Sequence, residues 1–280
     1  MKNIFISGSN GYIGKNLSFF LSNHYRVYGI SRDLKIFSYC QNLGLSKDST
    51  NFEEIKSDMK DSFFINSASI ESKNAMMIDF YNVNLMHSLK LLEFCSRNNI
   101  PNFINLATTL DPSSSFYANS KHMFASQLNY LANVLELKAL NLFLEPIYGP
   151  GMKPPRLIPY IFEQCAKQEA VIINSDKNLQ RHFVNIEDLM TGIYSVIDSN
   201  EFFKSDLHIR GKKKYTLEEI VDKIVTLTNS NTKIKYLNNN AIAYDFECAN
   251  NIPALQEVTS WIPRVSLQSG LKKILRDGPN

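Results

Sequence analysis

The chain has only four cysteines among its 280 residues, and they are widely scattered. They form neither a Cys-x-x-Cys motif nor a cluster with histidine. Scattered single cysteines indicate reduced thiols and argue against a zinc site. We therefore expect no bound metal.

The chain also lacks charge of one sign and long apolar runs. Its 30 basic and 27 acidic residues leave a formal net charge of +3, without a basic block. This balance argues against nucleic acid and membrane surfaces as partners. No segment approaches the apolar length that spans a bilayer. The first apolar run, Ile4–Ile6, is too short for a signal peptide and leads into glycines, so we interpret it as a buried strand of a cytoplasmic protein.

A glycine turn follows this strand and precedes an amphipathic helix. Its spacing is Gly-x-x-Gly-x-x-Gly, which differs from the Gly-x-Gly-x-x-Gly of the dinucleotide-binding fingerprint. Glycines let a pyrophosphate approach the backbone, and a helix N-terminus offers free N–H groups to it. A turn without any ligand is the alternative. The candidate cofactor residues are Gly8, Asn10, Gly11, Tyr12, Ile13 and Gly14.

The end of the second predicted strand, Tyr25–Ile30, indicates which nicotinamide cofactor the chain uses. An acidic side chain at this place would bind ribose hydroxyls and repel a 2′-phosphate. The chain has Ser31 and Arg32 there, a hydroxyl and a guanidinium that suit a phosphate. We therefore expect NADP(H) in preference to NAD(H). Asp33 and Lys35 follow closely, so a shift of register could exchange these roles and leave Arg32 solvated.

A tyrosine and a lysine lie four residues apart at the head of a later predicted helix. This spacing puts Tyr117 and Lys121 on one helical face. If that face lines a cleft, the ammonium lowers the pKa of the phenol from about 10. Tyr117 can then exchange a proton with a substrate oxygen. By itself the pair also fits an ordinary surface pair on a helix.

Two further predicted strands end in small or hydroxyl-bearing residues. One lies within 61–69 and ends in Ser67 and Ala68, and the other, Phe103–Ala107, ends in Thr108 and Thr109. Ligands of a doubly wound sheet bind outside the carboxyl ends of its strands. We therefore expect Thr108 to face the same crevice as Tyr117. Asn84 opens the helix predicted over 85–95, between these two strands.

The strand and helix pattern predicts an α/β fold, a Rossmann-type doubly wound parallel sheet with a smaller C-terminal α/β subdomain. The alternation becomes irregular after the strand Leu140–Leu144, and a helix is predicted over Leu157–Lys167. We assign residues 1–148 and 183–206 to a dinucleotide-binding domain. Residues 149–182 and 207–280 are assigned to a substrate-binding subdomain.

These motifs together resemble the extended short-chain dehydrogenase/reductase superfamily and, within it, the NAD-dependent epimerase/dehydratase family of nucleotide-sugar enzymes. The resemblance runs the whole length and includes Tyr148–Gly151, Arg181–Asp188 and Trp261 with Pro263. It implies that Thr108, Tyr117 and Lys121 are the catalytic trio, and that Arg181 binds the substrate diphosphate. The other residues that it implies for the substrate are Thr108 and Thr109, and for the cofactor Ser67, Ala68, Asn84, Tyr117, Lys121 and Pro146.

A narrower resemblance comes from Asn105–Asp111 and Tyr117–Lys121, which are most similar to CDP-abequose synthase-type reductases of CDP-4-keto-3,6-dideoxyhexoses. It implies a 4-ketoreductase of a CDP- or dTDP-linked 4-keto-6-deoxy or 3,6-dideoxy hexose. The implied pathway is deoxysugar biosynthesis for surface polysaccharide, such as the O-antigen of lipopolysaccharide. The chain departs from the family at His182, where Asp is usual, and at Ser67–Ser69, where many members carry His-x-Ala-Ala.

Two other functions fit the same motifs. One is an NAD-dependent 4-epimerase, and the other is a non-catalytic nucleotide-binding regulator. A dehydratase fits less well, because Thr109 and Leu110 stand where dehydratases of the family carry Asp-Glu. The resemblance also implies a homodimer through helices 85–96 and 117–133. Apolar surface for it is offered by Leu128, Leu131, Val134 and Leu135, although packing within the protein would use the same residues.

Overall fold

The computed structural model describes residues 1–31, 41–44, 59–72, 74–199, 206–237 and 251–277. Its strands are β1 (Asn3–Ser7), β2 (Arg26–Ser31), β3 (Gln41–Gly44), β4 (Phe63–Asn66), β5 (Asn102–Thr108), β6 (Lys138–Leu144), β7 (Ile147–Tyr148), β8 (Val171–Ile173), β9 (Gln180–His182), β10 (Val184–Asn185), β11 (Leu207–Ile209), β12 (Lys214–Thr216) and β13 (Ile234–Tyr236). Its helices are α1 (Tyr12–Leu21), α2 (Met77–Tyr81), α3 (Ser88–Arg97), α4 (Phe116–Val134), α5 (Leu157–Lys167), α6 (Ile186–Ser199), α7 (Leu217–Thr228), α8 (Leu255–Val258) and α9 (Leu267–Asp277).

The central sheet has seven strands in the order β11-β6-β5-β4-β1-β2-β3. The six strands from β6 to β3 pair in parallel. Strands β1, β4 and β5 are buried along their whole length. Both faces of these strands are covered, so their sequences do not alternate between apolar and charged residues. The predicted Rossmann-type parallel sheet is therefore confirmed.

A row of aromatic rings crosses one face of this sheet. Phe5 stacks on Tyr28 and on Phe64, with ring centroids 4.9 and 6.5 Å apart, and Phe64 stacks on Phe103 at 5.5 Å. These residues are directly opposite one another in the parallel register. Two residues further along, Ser7 and Asn66 lie on the same face, because side chains alternate along a strand. An apolar row and a polar row therefore run side by side across the sheet.

The helix predicted over 85–95 begins earlier than its periodicity indicated. Helix α2 starts at Met77, a π-helical turn follows over Asn82–His87, and α3 continues to Arg97. Asn84 does not open the helix but lies in the π-helical turn, where it is buried. A π-helical turn inserts one residue into the helix and changes the direction in which its side chains point. The prediction that helix α5 spans Leu157–Lys167 is confirmed.

The chain divides into two compact units. Within the described residues, the first comprises Met1–Leu144, Ile193–His208 and Asp245–Pro253, and the second comprises Glu145–Gly192, Ile209–Tyr244 and Ala254–Asn280. These boundaries differ from the domains predicted above, most clearly at 183–192. The assignment of each unit to one ligand stays a prediction. No helix in the described part of the chain has the length and apolarity needed to cross a membrane.

Candidate active site

The glycine turn between β1 and α1 leaves no room for a Cβ at Gly8 or Gly14. Gly8 has φ of +68°, and a Cβ there would lie 2.7 Å from the Cα of Ala68. A Cβ on Gly14 would lie 2.2 Å from the carbonyl oxygen of Gly8. Among the described residues no side chain caps α1, whose N-cap is Gly11. The turn therefore presents bare backbone and a helix N-terminus, the arrangement that accepts a pyrophosphate.

The predicted cofactor-selecting position, Ser31, contacts this turn. The side-chain amide of Asn10 donates a hydrogen bond to the Ser31 hydroxyl at 3.0 Å. This hydrogen bond joins the end of β2 to the glycine turn. Arg32 lies outside the described residues, so its role stays a prediction. Ser67 and Ala68 lie below the turn, where the Ser67 hydroxyl donates to the carbonyl oxygen of Ser7 at 2.5 Å.

Helix α4 carries Tyr117 and Lys121 in its first two turns. Ser115 caps it, because its hydroxyl accepts a hydrogen bond from the backbone N–H of Ala118 at 3.1 Å. Lys121 is only 4% exposed, whereas Tyr117 is half-buried. Burial lowers the pKa of Lys121 to about 8. The ammonium is thus a buried cation one helical turn from the phenol, not part of a solvated surface pair.

Thr108 is the last residue of β5 and Thr109 follows it, at the edge that carries the glycine turn. The Thr109 hydroxyl donates to the carbonyl oxygen of Leu144 at 3.1 Å. The Thr108 hydroxyl accepts from the Leu110 N–H at 3.3 Å. The roles of both threonines toward a substrate stay predictions.

His122, which follows Lys121, was not among the site residues predicted from the sequence. Its Nε2 lies 2.8 Å from the carbonyl oxygen of Leu110, the donor position of the Nε2–H tautomer. This contact ties the segment after Thr108 to helix α4. Burial lowers the pKa of the imidazole, which favours the neutral ring. No sequence signal distinguishes this histidine from an ordinary helical one.

Asn84 uses both ends of its side chain inside the protein. Its oxygen accepts from the Ile70 N–H at 2.9 Å, and its amide donates to the Ser120 hydroxyl at 3.0 Å. The Ser120 hydroxyl in turn donates to the carbonyl oxygen of Tyr117 at 3.0 Å. Asn84 therefore joins the segment after β4 to the first turn of α4. A direct contact with a cofactor stays a prediction.

A row of buried asparagines continues this network across the sheet. Asn66 accepts from the Ser7 hydroxyl at 2.8 Å and donates to the Asn105 oxygen at 3.2 Å. Asn105 donates to Asn141 at 2.8 Å, and Asn141 donates to Asp206 at 3.1 Å. The sequence contains a signal for this row, since asparagine is rare inside strands. Only the register shows that the side chains meet.

Arg181 and Pro146 belong to the second compact unit. Arg181 lies on β9 and is half-buried, with its Nε and Nη2 atoms shielded from solvent. The carbonyl oxygen of Pro146 accepts from the Val184 N–H at 2.9 Å. Asp188 accepts from the backbone N–H groups of Arg264 and Val265 at 2.7 and 3.0 Å. Asp188, the last residue of the run Arg181–Asp188, therefore holds the backbone that precedes helix α9.

No three His, Cys, Asp or Glu side chains within the described ranges come together as metal ligands. Cys95 and Cys165 are buried thiols. The carboxyl ends of the strands and the first turns of α4 carry hydroxyls, a phenol, an ammonium and backbone amides. These groups suit proton exchange with an oxygen atom and binding of phosphates.

The family model of the NAD dependent epimerase/dehydratase family matches residues 4–209. The chain belongs to this family. CDP-abequose synthase of Salmonella typhimurium is 25% identical over 223 residues, covering 71% of each chain. CDP-abequose synthase of Salmonella muenchen is 25% identical over 167 residues, covering 58% of this chain and 55% of that relative. The resemblance derived from the motifs is thus confirmed.

Solved structures of nucleotide-sugar epimerases share the fold of this family member. The UDP-glucose 4-epimerase of Thermus thermophilus, in complex with NAD, superposes with a TM-score of 0.79 at 16% identity, covering 98% of both chains. The UDP-glucuronic acid 4-epimerase of Bacillus cereus, in complex with UDP-glucuronic acid and NAD, has a TM-score of 0.79 at 19% identity. It covers 99% of this chain and 98% of the other. At such identities the likeness shows the fold.

Proposed function

We propose that this family member is an NADPH-dependent 4-ketoreductase of a nucleotide-linked 4-keto-6-deoxy or 3,6-dideoxy hexose. The observation that carries the proposal is the buried ammonium of Lys121 one helical turn from the half-buried Tyr117. Similarity to two CDP-abequose synthases supports a CDP-linked sugar, with a dTDP-linked sugar as the second candidate. The pathway that we propose is deoxysugar synthesis for a surface polysaccharide such as the O-antigen.

The side chains have separate roles in this reaction. When bound, the reduced nicotinamide supplies the hydride. Tyr117 donates its phenolic proton to the oxygen that develops negative charge at C4 of the sugar. Lys121 stabilises the resulting phenolate through its charge. Thr108 donates a hydrogen bond to the same substrate oxygen, while Arg181 holds the diphosphate.

NADP(H) is the cofactor that we propose, although the related structures named above contain NAD. Ser31 ends β2 without a carboxylate, and Asn10 donates to its hydroxyl. Because Ser31 itself carries no negative charge, it does not repel a 2′-phosphate; Asp33 lies outside the described residues. Binding measured with NADP and NAD side by side tests this part, and equal affinity or a preference for NAD would contradict it.

An NAD-dependent 4-epimerase is the second candidate, supported by the fold shared with two 4-epimerases. A 4-epimerase removes and returns hydride at the same carbon, so it needs a cofactor that stays bound. A reductase consumes its cofactor in each turnover and must exchange it. Retention of the cofactor through purification therefore separates the two functions.

The deciding experiment follows nicotinamide absorbance with purified protein, NADPH or NADH, and a panel of nucleotide-linked 4-keto sugars. The panel includes CDP-4-keto-3,6-dideoxyglucose. Oxidation of NADPH that depends on one sugar supports the reductase. Absence of oxidation, together with firmly bound NAD and interconversion of two 4-epimers, would replace it with the epimerase. Absence of any turnover would favour a nucleotide-binding regulator.

We further propose that the protein is a homodimer in the cytoplasm. Leu128 is fully buried and therefore packs within the protein, while Leu131 and Leu135 pack against the same core and are partly exposed. Val134 is exposed, as expected. With it, helix α4 exposes apolar side chains at intervals of seven and four residues, which places them along one face. This stripe consists of Phe116, Met123, Tyr130 and Val134.

A further inference from the structure

A short antiparallel hairpin in the second compact unit brings several cations together. Strands β9 and β12 pair so that Tyr215 lies opposite Arg181 and Lys214 lies opposite His182. The turn leading into β12 contains Lys212 and Lys213, and all three consecutive lysines are exposed. Directly opposite residues of an antiparallel pair share a face of the ladder. Arg181 and Tyr215 therefore lie on one face, and His182 and Lys214 on the other.

Lys213 belongs to the face of Arg181. Its ammonium lies over the ring of Tyr215, 4.6 Å from the ring centroid, a cation–π contact that limits where the charge can go. Arg181 and Lys213 are thus two cationic residues on the same face as Tyr215. The adjacent Lys214 has the same charge but lies on the opposite face of the hairpin, with His182.

Backbone pairing links the hairpin to the segment Tyr148–Gly151. Strand β7, which ends at Tyr148, pairs with β10, which begins three residues after Arg181. Arg181 is therefore connected, through β10 and β7, to the start of the segment Tyr148–Gly151, which contains two glycines.

We propose that Lys213, oriented by Tyr215, is a second phosphate-binding cation that acts together with Arg181 on the diphosphate of the nucleotide sugar. This inference rests on the proposed function and adds a residue to its substrate site. A nucleotide-sugar diphosphate carries one negative charge on each phosphate. A guanidinium suits bidentate contact with one phosphate, whereas an ammonium on a flexible stem reaches the other as a point charge.

The test compares the binding of free CDP and UDP to the wild type and to single variants, by calorimetry with nicotinamide cofactor in excess. Occupying the cofactor site prevents the nucleotides from binding at the glycine turn. We expect Lys213→Met to raise the Kd about tenfold, the usual effect of losing one charged contact. Lys213→Arg, which keeps the cation, should stay within about threefold of the wild type. Lys214→Met is the matched control and should not change the Kd.

Three results would overturn the inference. Equal affinity of Lys213→Met and the wild type, with affinity lost in Arg181→Met, removes Lys213 from the site but leaves the proposed function intact. If Lys213→Met and Lys214→Met weaken nucleotide binding equally, the lysines attract the nucleotide only through their overall charge. Added salt would then weaken binding to both variants to the same extent. A wild-type protein that binds neither nucleotide would contradict both this inference and the nucleotide-sugar substrate.

Discussion

Asn84 donates a hydrogen bond to Ser120 at 3.0 Å, and this bond joins two segments that carry different parts of the candidate site. Asn84 also accepts from the backbone of Ile70, which follows β4. The Ser120 hydroxyl donates a hydrogen bond to the carbonyl oxygen of Tyr117. On the other side, the Ser88 hydroxyl donates to the Asn84 carbonyl oxygen and accepts from Asn66. Every donor in this path has an acceptor, so the path positions Tyr117 relative to the strand that underlies the glycine turn.

Replacing Asn84 should therefore impair turnover more than its effect on stability explains. Asn84→Leu removes the partners of the Ile70 N–H and the Ser120 hydroxyl, which we expect to lower the free energy of unfolding by about 2 to 4 kcal/mol. Turnover should fall at least about tenfold, because a small displacement of Tyr117 is costly. Urea unfolding and steady-state kinetics, measured below the unfolding transition, test this prediction.

Asn141→Leu is the matched control for that variant. Asn141 is equally buried and belongs to the same network, but it lies at the opposite end, next to Asp206. We expect a similar loss of stability with turnover near that of the wild type. If both variants lose turnover to the same extent, Asn84 has only a structural role.

Tyr117→Phe should abolish most turnover without weakening cofactor binding. The variant keeps the ring and loses only the exchangeable proton, and the loss of such a donor costs about 10²- to 10⁴-fold in rate. Tyr130→Phe removes a hydroxyl from the same helix at a residue that is 66% exposed, and it should behave as the wild type. Full turnover by Tyr117→Phe would assign proton transfer to another group.

Lys121 should make the stability of the protein depend on pH in the alkaline range. Burial holds its pKa at about 8, below its ordinary value of 10.5. Between these values the unfolded chain binds a proton that the native protein does not, so the free energy of unfolding rises with pH. Lys121→Met lacks this contribution. At pH 7.5 we expect Lys121→Met to have a larger free energy of unfolding than the wild type. This difference should decrease by about 2 kcal/mol between pH 7.5 and 9.5.

Urea unfolding of both proteins at several pH values measures this difference. The comparison of two proteins cancels the contributions of the buried tyrosines, which titrate at higher pH. A difference between the two proteins that does not change with pH would mean that Lys121 titrates at its ordinary pKa. The buried ammonium would then have to be stabilised by groups that offset its burial.

Gly14→Ala should be more damaging than Gly11→Ala. A Cβ at position 14 would lie 2.2 Å from the carbonyl oxygen of Gly8, whereas one at position 11 would lie 3.1 Å from the same atom. The first contact requires the turn to move, at a cost of about 1 to 3 kcal/mol, and the second needs a shift of only a few tenths of an ångström. Thermal unfolding and NADPH titration of both variants test the order. Unchanged cofactor affinity in Gly14→Ala would argue against the turn as the pyrophosphate site.

Met123→Asp should convert the proposed homodimer into a monomer. Met123 is 43% exposed in the middle of the apolar stripe of α4, and a carboxylate there would be buried without a partner in a dimer. Ile172→Asp changes an equally exposed apolar residue on β8 and should leave the dimer intact. Light scattering coupled to size-exclusion chromatography gives the mass of each. A monomeric wild type would exclude this dimer.

Short-range patterns in the sequence predicted the elements that local chemistry specifies. The glycine turn, the spacing of Tyr117 and Lys121 and the whole of helix α5 follow from conformational preferences and periodicities within one element. The parallel sheet follows from apolar strands that alternate with helices. These features need no knowledge of which strand lies beside which.

The tertiary structure alone decided the features that depend on register and burial. Asn66, Asn105 and Asn141 are far apart in the sequence and meet only because three parallel strands align at these residues. The same holds for Arg181 opposite Tyr215 in the hairpin. Burial of the Lys121 ammonium depends on everything packed around α4, so no pattern within that helix predicts it. The sequence by itself therefore determined which groups are available for chemistry, and the tertiary structure decided which of them touch, because register and burial arise from contacts between distant segments.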